Sequence, residues 1–277
     1  MKSKRHAKLL VVIAGAIAAF AMLSPAAQAE KPNAGYEQFA GCPSPFTEDA
    51  KIVTCLRSEI TGGNFKMGNK NVPIEKTITI TGGVEDGLGG FKFNSEGGLT
   101  KVKQKVPGGV IGLTGLTWLA EFLGSDALTL YATTELAGTP TFTDLAHTTL
   151  PIKVHLENST GVLGPKCYVG SNAAPIVLNL ITGTTSPPPP NTPITGKAPE
   201  PSVDPVLEIF RAKNGIFVDN SFAAPGANGC VLTLFGFLPV PLNGFVNLAS
   251  GLPSPAGTNE TKQNFNLELV NSEFVYE

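Results

Sequence analysis

The chain is short of charge and of reactive side chains. Asp, Glu, Lys and Arg make up 15% of its 277 residues, alongside three histidines, one tryptophan and four cysteines. Each shortage excludes something. With 20 basic against 22 acidic residues, the sequence has no electrostatic footprint for nucleic acid. No two cysteines are spaced as Cys-x-x-Cys, which removes a redox motif and a zinc knuckle. The nucleophile elbow Gly-x-Ser-x-Gly does not occur, although triads can assemble without it. Gly87-x-Gly89 lacks the third glycine and the βαβ context of a dinucleotide site, and no motif implies a cofactor.

The one long apolar run free of proline is Leu9 to Leu23. It follows Lys2, Lys4, Arg5 and Lys8 and is closed by Ser24-Pro-Ala-Ala-Gln-Ala29, the layout of a secretory signal peptide (residues 1–29) cleaved between Ala29 and Glu30. The run is shorter than the ~20 residues of a spanning helix, and Glu30 is not the cysteine that lipid attachment needs. A secreted protein, extracellular or associated with the cell envelope, is expected. Removing the four basic residues of the leader from the 20 in the chain leaves 16 against 22 acids, a net charge of −6.

Turn formers are abundant, with 31 Gly and 23 Pro. Together with short alternating runs such as Lys76-Thr-Ile-Thr-Ile-Thr81, they predict an all-β fold, a sandwich or two small β subdomains with one short helix. Further strands are expected at Thr100–Val106, Leu128–Thr134, Ile152–Glu157, Ile176–Thr182, Val206–Arg211, Ile216–Asp219, Val231–Phe235 and Phe265–Val270. The helix is expected at Thr117–Leu123, stopped by Gly124. Residues 30–50 read as a loosely ordered leading segment and 51–277 as the β-rich domain, with 51–160 and 161–277 as candidate subdomains. In an oxidising compartment, Cys42, Cys55, Cys167 and Cys230 make two disulfides. Three pairings exist; Cys42–Cys55 with Cys167–Cys230 closes the shortest loops and is the reading taken.

A proline-rich crossover spans 186–205, with Pro187 to Pro190 favouring an extended polyproline segment. Pro175-Ile-Val-Leu-Asn-Leu-Ile-Thr-Gly-Thr-Thr-Ser-Pro-Pro-Pro-Pro-Asn-Thr-Pro-Ile-Thr-Gly196, Val218-Asp-Asn-Ser-Phe-Ala-Ala-Pro-Gly-Ala-Asn-Gly-Cys230 and Gly251-Leu-Pro-Ser-Pro-Ala-Gly-Thr-Asn259 resemble stretches of a family of uncharacterised secreted actinobacterial proteins. The resemblance covers most of the chain after the leader. It implies secretion and carries no activity or site residues.

Chemistry is thinly represented. Asp144, His147, His155 and Glu157 form the one titratable constellation, but alternation puts Lys153 beside His155 and Glu157, which reads as a solvated face rather than a metal site. A glycosidase-like hydrolase would need two facing carboxylates, for which Glu85, Asp86, Glu121, Glu135, Asp144 and Glu208 are available outside any motif. More unusual is Asn220 to Asn259, which contains no Asp, Glu, Lys or Arg. A buried strand pair with an apolar loop explains it; so does an apolar surface built on Trp118, Phe122, Phe235, Phe237 and Phe245. The leading functional expectation is a secreted, non-catalytic binding or envelope-associated structural protein. Its partner would be an envelope or extracellular molecule, a second copy included, with membrane contact a less favoured reading. The carboxylate-pair hydrolase and a membrane-active, self-assembling β module are the alternatives.

Overall fold

Alternating β-branched residues between glycine and proline turns give this chain strands, and the strands form one curled antiparallel sheet. The computed structural model describes residues 31–46, 51–85, 90–116 and 129–276. In chain order the elements are β1 (Ile52–Met67), β2 (Lys70–Pro73), β3 (Ile78–Glu85), β4 (Phe91–Lys92), β5 (Gly98–Leu99), β6 (Lys103–Lys105), α1 (Gly109–Thr114) and β7 (Leu130–Leu136). There follow β8 (Thr141–Asp144), β9 (His147–Asn158), β10 (Tyr168–Val169), β11 (Ile176–Ile181), β12 (Glu200–Val203), β13 (Phe210–Asp219) and β14 (Ala227–Asn228). The chain ends with β15 (Val231–Leu234), β16 (Leu238–Pro241), α2 (Asn243–Ser250), β17 (Glu260–Asn271) and α3 (Ser272–Tyr276).

The sheet runs β7–β9–β11–β13–β17–β1–β3 through antiparallel pairs. The segment 98–105 then bridges its two ends. Its start, β5, pairs with β3, and its end, β6, pairs with β7. Gln104 in β6 reinforces the closure: its Oε1 accepts the N–H groups of Glu75 and Lys76, and its Nε2 donates to the Lys76 carbonyl. A sheet curled this far encloses an interior, as in eight-stranded barrels that hold one small ligand. The weakest seam lies between β11 and β13, which share the single pair Ile181↔Val218. There the buried Asp219 carboxylate stands in for a backbone acceptor, taking the N–H of Asn179 at 2.7 Å and that of Ser221 at 2.8 Å.

The strand faces sort by polarity. Leu150, Ile152, Val154 and Leu156 of β9 point into the main core, while Lys153, His155 and Glu157 point outward. Outside, Lys101 and Lys153 flank Glu135, and Lys103 meets Glu157 at 2.9 Å. A second, smaller core joins Phe39, Cys42, Ile52, Cys55, Ile209, Val270, Val275 and Tyr276. It anchors residues 31–46 at more points than Cys42: Asn33 N–H donates to the Val275 carbonyl and Tyr36 Oη to that of Leu207.

Both disulfides pair as expected, Cys42–Cys55 and Cys167–Cys230. Helix is sparse, with the described α-helices at α1, α2 and α3; the segment Thr117–Leu123 lies outside the described residues, as do residues 1–29, expected as a leader, and Glu30. The two runs expected as strands at Val206–Arg211 and Ile216–Asp219 resolve differently. Asp204 Oδ1 accepts the N–H groups of Val206 and Leu207, which turns the chain there and delays β13 to Phe210. The second run joins the same strand across a bulge between Ala212 and Gly215. The proline-rich stretch follows β11, includes β12 and docks on its own chain: Asn191 Nδ2 donates to the carbonyls of Asn220 and Asn259.

Candidate functional site

The uncharged stretch Asn220–Asn259 folds into the hairpin β15–β16 and the helix α2. The hairpin is separate from the main sheet. Its base is fixed from three sides. Cys230 is crosslinked to Cys167, its N–H is accepted by Asn243 Oδ1 at 2.8 Å, and its carbonyl takes the N–H of Leu242. Leu232 is buried, and Leu234 and Val240 pack against the main core. The tip is bare. Phe235 is 74% exposed and Phe237 77%, with Leu238 nearly half exposed beside them.

The turn at this tip is strained. Phe237 N–H donates to the Leu234 carbonyl, and both central residues have positive φ, 56° at Phe235 and 78° at Gly236. Asn-Gly is the preferred pair for that conformation, whereas a bulky residue at the first position costs about 1–2 kcal/mol. Sequence and conformation are therefore in conflict at an aromatic residue that is largely exposed to solvent. Such outliers persist where something other than stability holds them.

Helix α2 presents a second exposed apolar face. Val246 and Ser250, four apart, face inward; Phe245 and Leu248, three apart, face outward, with Leu248 83% exposed. A surface helix ordinarily sets charge on its outer face. Here both faces lack it. Of the five residues expected to form an apolar surface, Phe235, Phe237 and Phe245 are exposed, while Trp118 and Phe122 lie outside the described residues. Leu238 at the tip and Leu248 on α2 are exposed as well, without having been expected. They were legible only as part of the charge-free run. Of the buried strand pair with an apolar loop, the structure shows Leu232 buried, Leu234 and Val240 partly buried, and the loop exposed.

Behind α2 a cavity of about 90 Å³ lies within the curl of the sheet. Ile60, Met67, Ile152, Val154 and Leu178 are among its walls, and α1 and α2 contribute Leu113 and Ser250. At ~24 cal/mol per Å³ of unfilled volume, a void this size costs on the order of 2 kcal/mol. Few polar groups reach it. Gln104 is satisfied by the closure of the sheet, and Gln263 Nε2 donates to Thr261 Oγ1. Lys70 Nζ donates to the Gly112 carbonyl. Ser250 Oγ, on a residue 2% exposed, has no hydrogen-bond partner among the described residues.

One buried asparagine ties these parts together. Asn259 Oδ1 accepts Gly68 N–H at 2.9 Å and Ser254 Oγ–H at 2.7 Å, and its Nδ2 donates to the Phe222 carbonyl at 2.8 Å. This holds the β1–β2 turn against the end of α2. Asn69 N–H there donates to the Ser250 carbonyl, and a Cβ on Gly68 would come within 2.2 Å of that same oxygen.

No protein-family model, curated protein or solved structure matches this chain.

The titratable constellation disperses. His147 Nδ1 lies 2.9 Å from Asp144 Oδ1 on the surface, while His155 stacks on Tyr168 with ring centroids 4.6 Å apart. Hydrogen bonding from Ala146 N–H and then from His147 lowers the Asp144 pKa. No cluster of metal-ligating side chains forms among the described residues. The carboxylates considered for hydrolysis are drawn off individually: Glu85 toward Lys92, Glu135 between Lys101 and Lys153, and Asp144 to His147. Glu208 is exposed, and Asp86 and Glu121 lie outside the described residues. The outward row of Lys101, Lys103, Glu135, Lys153 and Glu157 gives the sheet a charged exterior, the reverse of the apolar band of a membrane-spanning barrel. The two disulfides suit an oxidising, extracellular compartment.

Proposed function

We propose that this is a secreted, non-catalytic binding protein that docks on a lipid surface of the cell envelope through the tip of β15–β16 and the outer face of α2. One observation carries the reading: two phenylalanines, each about three-quarters exposed, sit on a strained turn whose base is stapled by a disulfide. Burying such side chains relative to leaving them in water is worth ~1.5–3 kcal/mol each. The absence of charge from Asn220 to Asn259 supports a lipid rather than a protein surface, since protein interfaces carry a polar rim. The leader sequence and the resemblance to secreted actinobacterial proteins support export.

Flotation with liposomes tests this. The chain should float with vesicles, and the double variant Phe235→Ser/Phe237→Ser should stay in the dense fraction while keeping its fold by circular dichroism. Equal flotation of both proteins would refute the assignment. So would a salt-insensitive dimer of the unaltered protein that the double variant abolishes without any vesicle binding; the patch would then be a self-association surface.

A further inference from the structure

The outer face of β13, β17 and β1 carries a polar recess of about 270 Å³ that the docking surface does not use. Phe265 and Leu267 of β17 point into the main core, so Asn266 and Glu268 point outward. On one side of β17, Glu59 is the register partner of Asn266 and Arg57 that of Glu268. On the other side Ala212 pairs with Leu267 and Gly215 with Phe265, so Lys213 and Asn214 stand together opposite Asn266. Asn214, at φ 58°, holds this bulge by donating its N–H to Asn266 Oδ1 at 3.0 Å. These six polar side chains are among the walls of the recess.

Donors and acceptors alternate around it. Arg57 donates to Glu59 and, at 3.5 Å, to Glu268, which sets both carboxylates about one guanidinium. Asn266 Nδ2, Glu59 Oε2 and Lys213 Nζ have no partner among the described residues. Arg57 and Lys213 balance Glu59 and Glu268, so the lining carries no net charge. Groups of both hydrogen-bonding kinds without net charge suit a ligand whose hydroxyls each donate and accept, rather than an ion.

We infer that this recess binds one uncharged sugar ring, its hydroxyls on Lys213 Nζ, Asn266 Nδ2 and Glu59 Oε2. The volume equals the liquid share of about nine waters, which admits one ring with its hydroxyls and excludes a branched oligosaccharide. The hydrocarbon stems of Arg57 and Lys213 offer contact to the C–H groups of the ring. None of these residues lies in the lipid-docking segment, so the two assignments stand or fall separately.

Titration of the isotope-labelled full chain, followed by NMR, tests it with glucose, galactose, mannose and N-acetylglucosamine, each as free sugar and as methyl glycoside. At least one should saturate at one per chain, with amide shifts concentrated at Glu59, Lys213, Asn214 and Asn266. Binding of the methyl glycoside would mark the end of a glycan as the natural source, and binding of the free sugar alone a monosaccharide. Lys213→Met removes one charge-assisted hydrogen bond from an exposed position and should weaken binding by ~tenfold or more. Melting temperature and liposome flotation should not change. Saturation by none of these sugars overturns the proposal, as do shifts that cluster elsewhere. Preferential binding of inorganic phosphate or glucuronic acid at these residues overturns it too, because the recess would then select charge. If Lys213→Met fails to fold, the shift map of the unaltered protein decides the location alone.

Discussion

Phe235 occupies a backbone conformation that an asparagine would adopt with less strain, and it exposes a ring that a core would bury. Phe235→Asn should therefore raise stability by about 1 kcal/mol in urea unfolding while weakening flotation with liposomes. Loss of stability together with unchanged flotation would mean that the ring is structural. Asn259 makes the opposite case. Its side chain satisfies Gly68 N–H, Ser254 Oγ and the Phe222 carbonyl from a fully buried position. Asn259→Ala leaves those groups unpaired and should cost about 2–3 kcal/mol, measured as a lower urea midpoint at constant m-value. In sequence Asn259 begins Asn-Glu-Thr, a glycosylation triplet on paper, and nothing local marks it as a buried hub. These partners lie 5, 37 and 191 residues away, so its role is set by tertiary closure.

At the scale of elements, the hairpin depends on its staple. Cys167–Cys230 spans 63 residues and Cys42–Cys55 spans 13, so chain-entropy estimates give about 4 and about 3 kcal/mol respectively. Replacing Cys167 and Cys230 by Ala should cost the larger amount and increase hydrogen exchange across β15 and β16. Protection unchanged in that hairpin would show that packing of Leu232 and Val240 alone fixes it. A second element-scale device is the ion network across β12–β13, β17 and β1. Arg211 donates to Asp204 at 2.8 Å and Glu268 at 3.0 Å, and Glu268 also meets Arg57. The Arg211 hydrogen bond, helped by the N–H groups of Val206 and Leu207, lowers the Asp204 pKa from 3.8 to about 2. Because the folded value is depressed, this contribution is fully present above about pH 4 and is lost as pH falls through about 2. Asp204→Asn should flatten the decline of melting temperature between pH 4 and 2; an unchanged slope would assign that decline to other carboxylates.

How far the sequence led can be read from particular elements. Ile152 to Glu157 announced a strand through strict alternation and Ile176 to Thr182 through a short run of β-branched residues and leucine, and β9 and β11 form there. The pairing of the four cysteines followed from loop length. The closure of the sheet was invisible, because it rests on Gln104 reaching Glu75 and Lys76, residues 28 and 29 positions away whose pairing no local pattern encodes. Phe235, Phe237 and Phe245 stood out through the missing charge around them. Lys70 and Ser250 did not, since an isolated lysine in a strand and a serine ending a helix look like ordinary surface residues until the cavity places them.

Across the whole molecule, polarity is partitioned in an uncommon way. Charge decorates the outside of the curled sheet, hydrocarbon lines its interior, and one uncharged hairpin–helix segment places hydrocarbon in solvent again. The central claim is that this last segment is a lipid-docking surface. Its most direct test is tryptophan fluorescence of a Phe237→Trp variant, against the unaltered protein as baseline, titrated with vesicles of neutral and anionic lipids. Docking on lipid would give a blue shift of the added emission with both vesicle types and its quenching by brominated acyl chains. An added emission that stays at its solvent-exposed wavelength, unquenched at every lipid concentration, would contradict it.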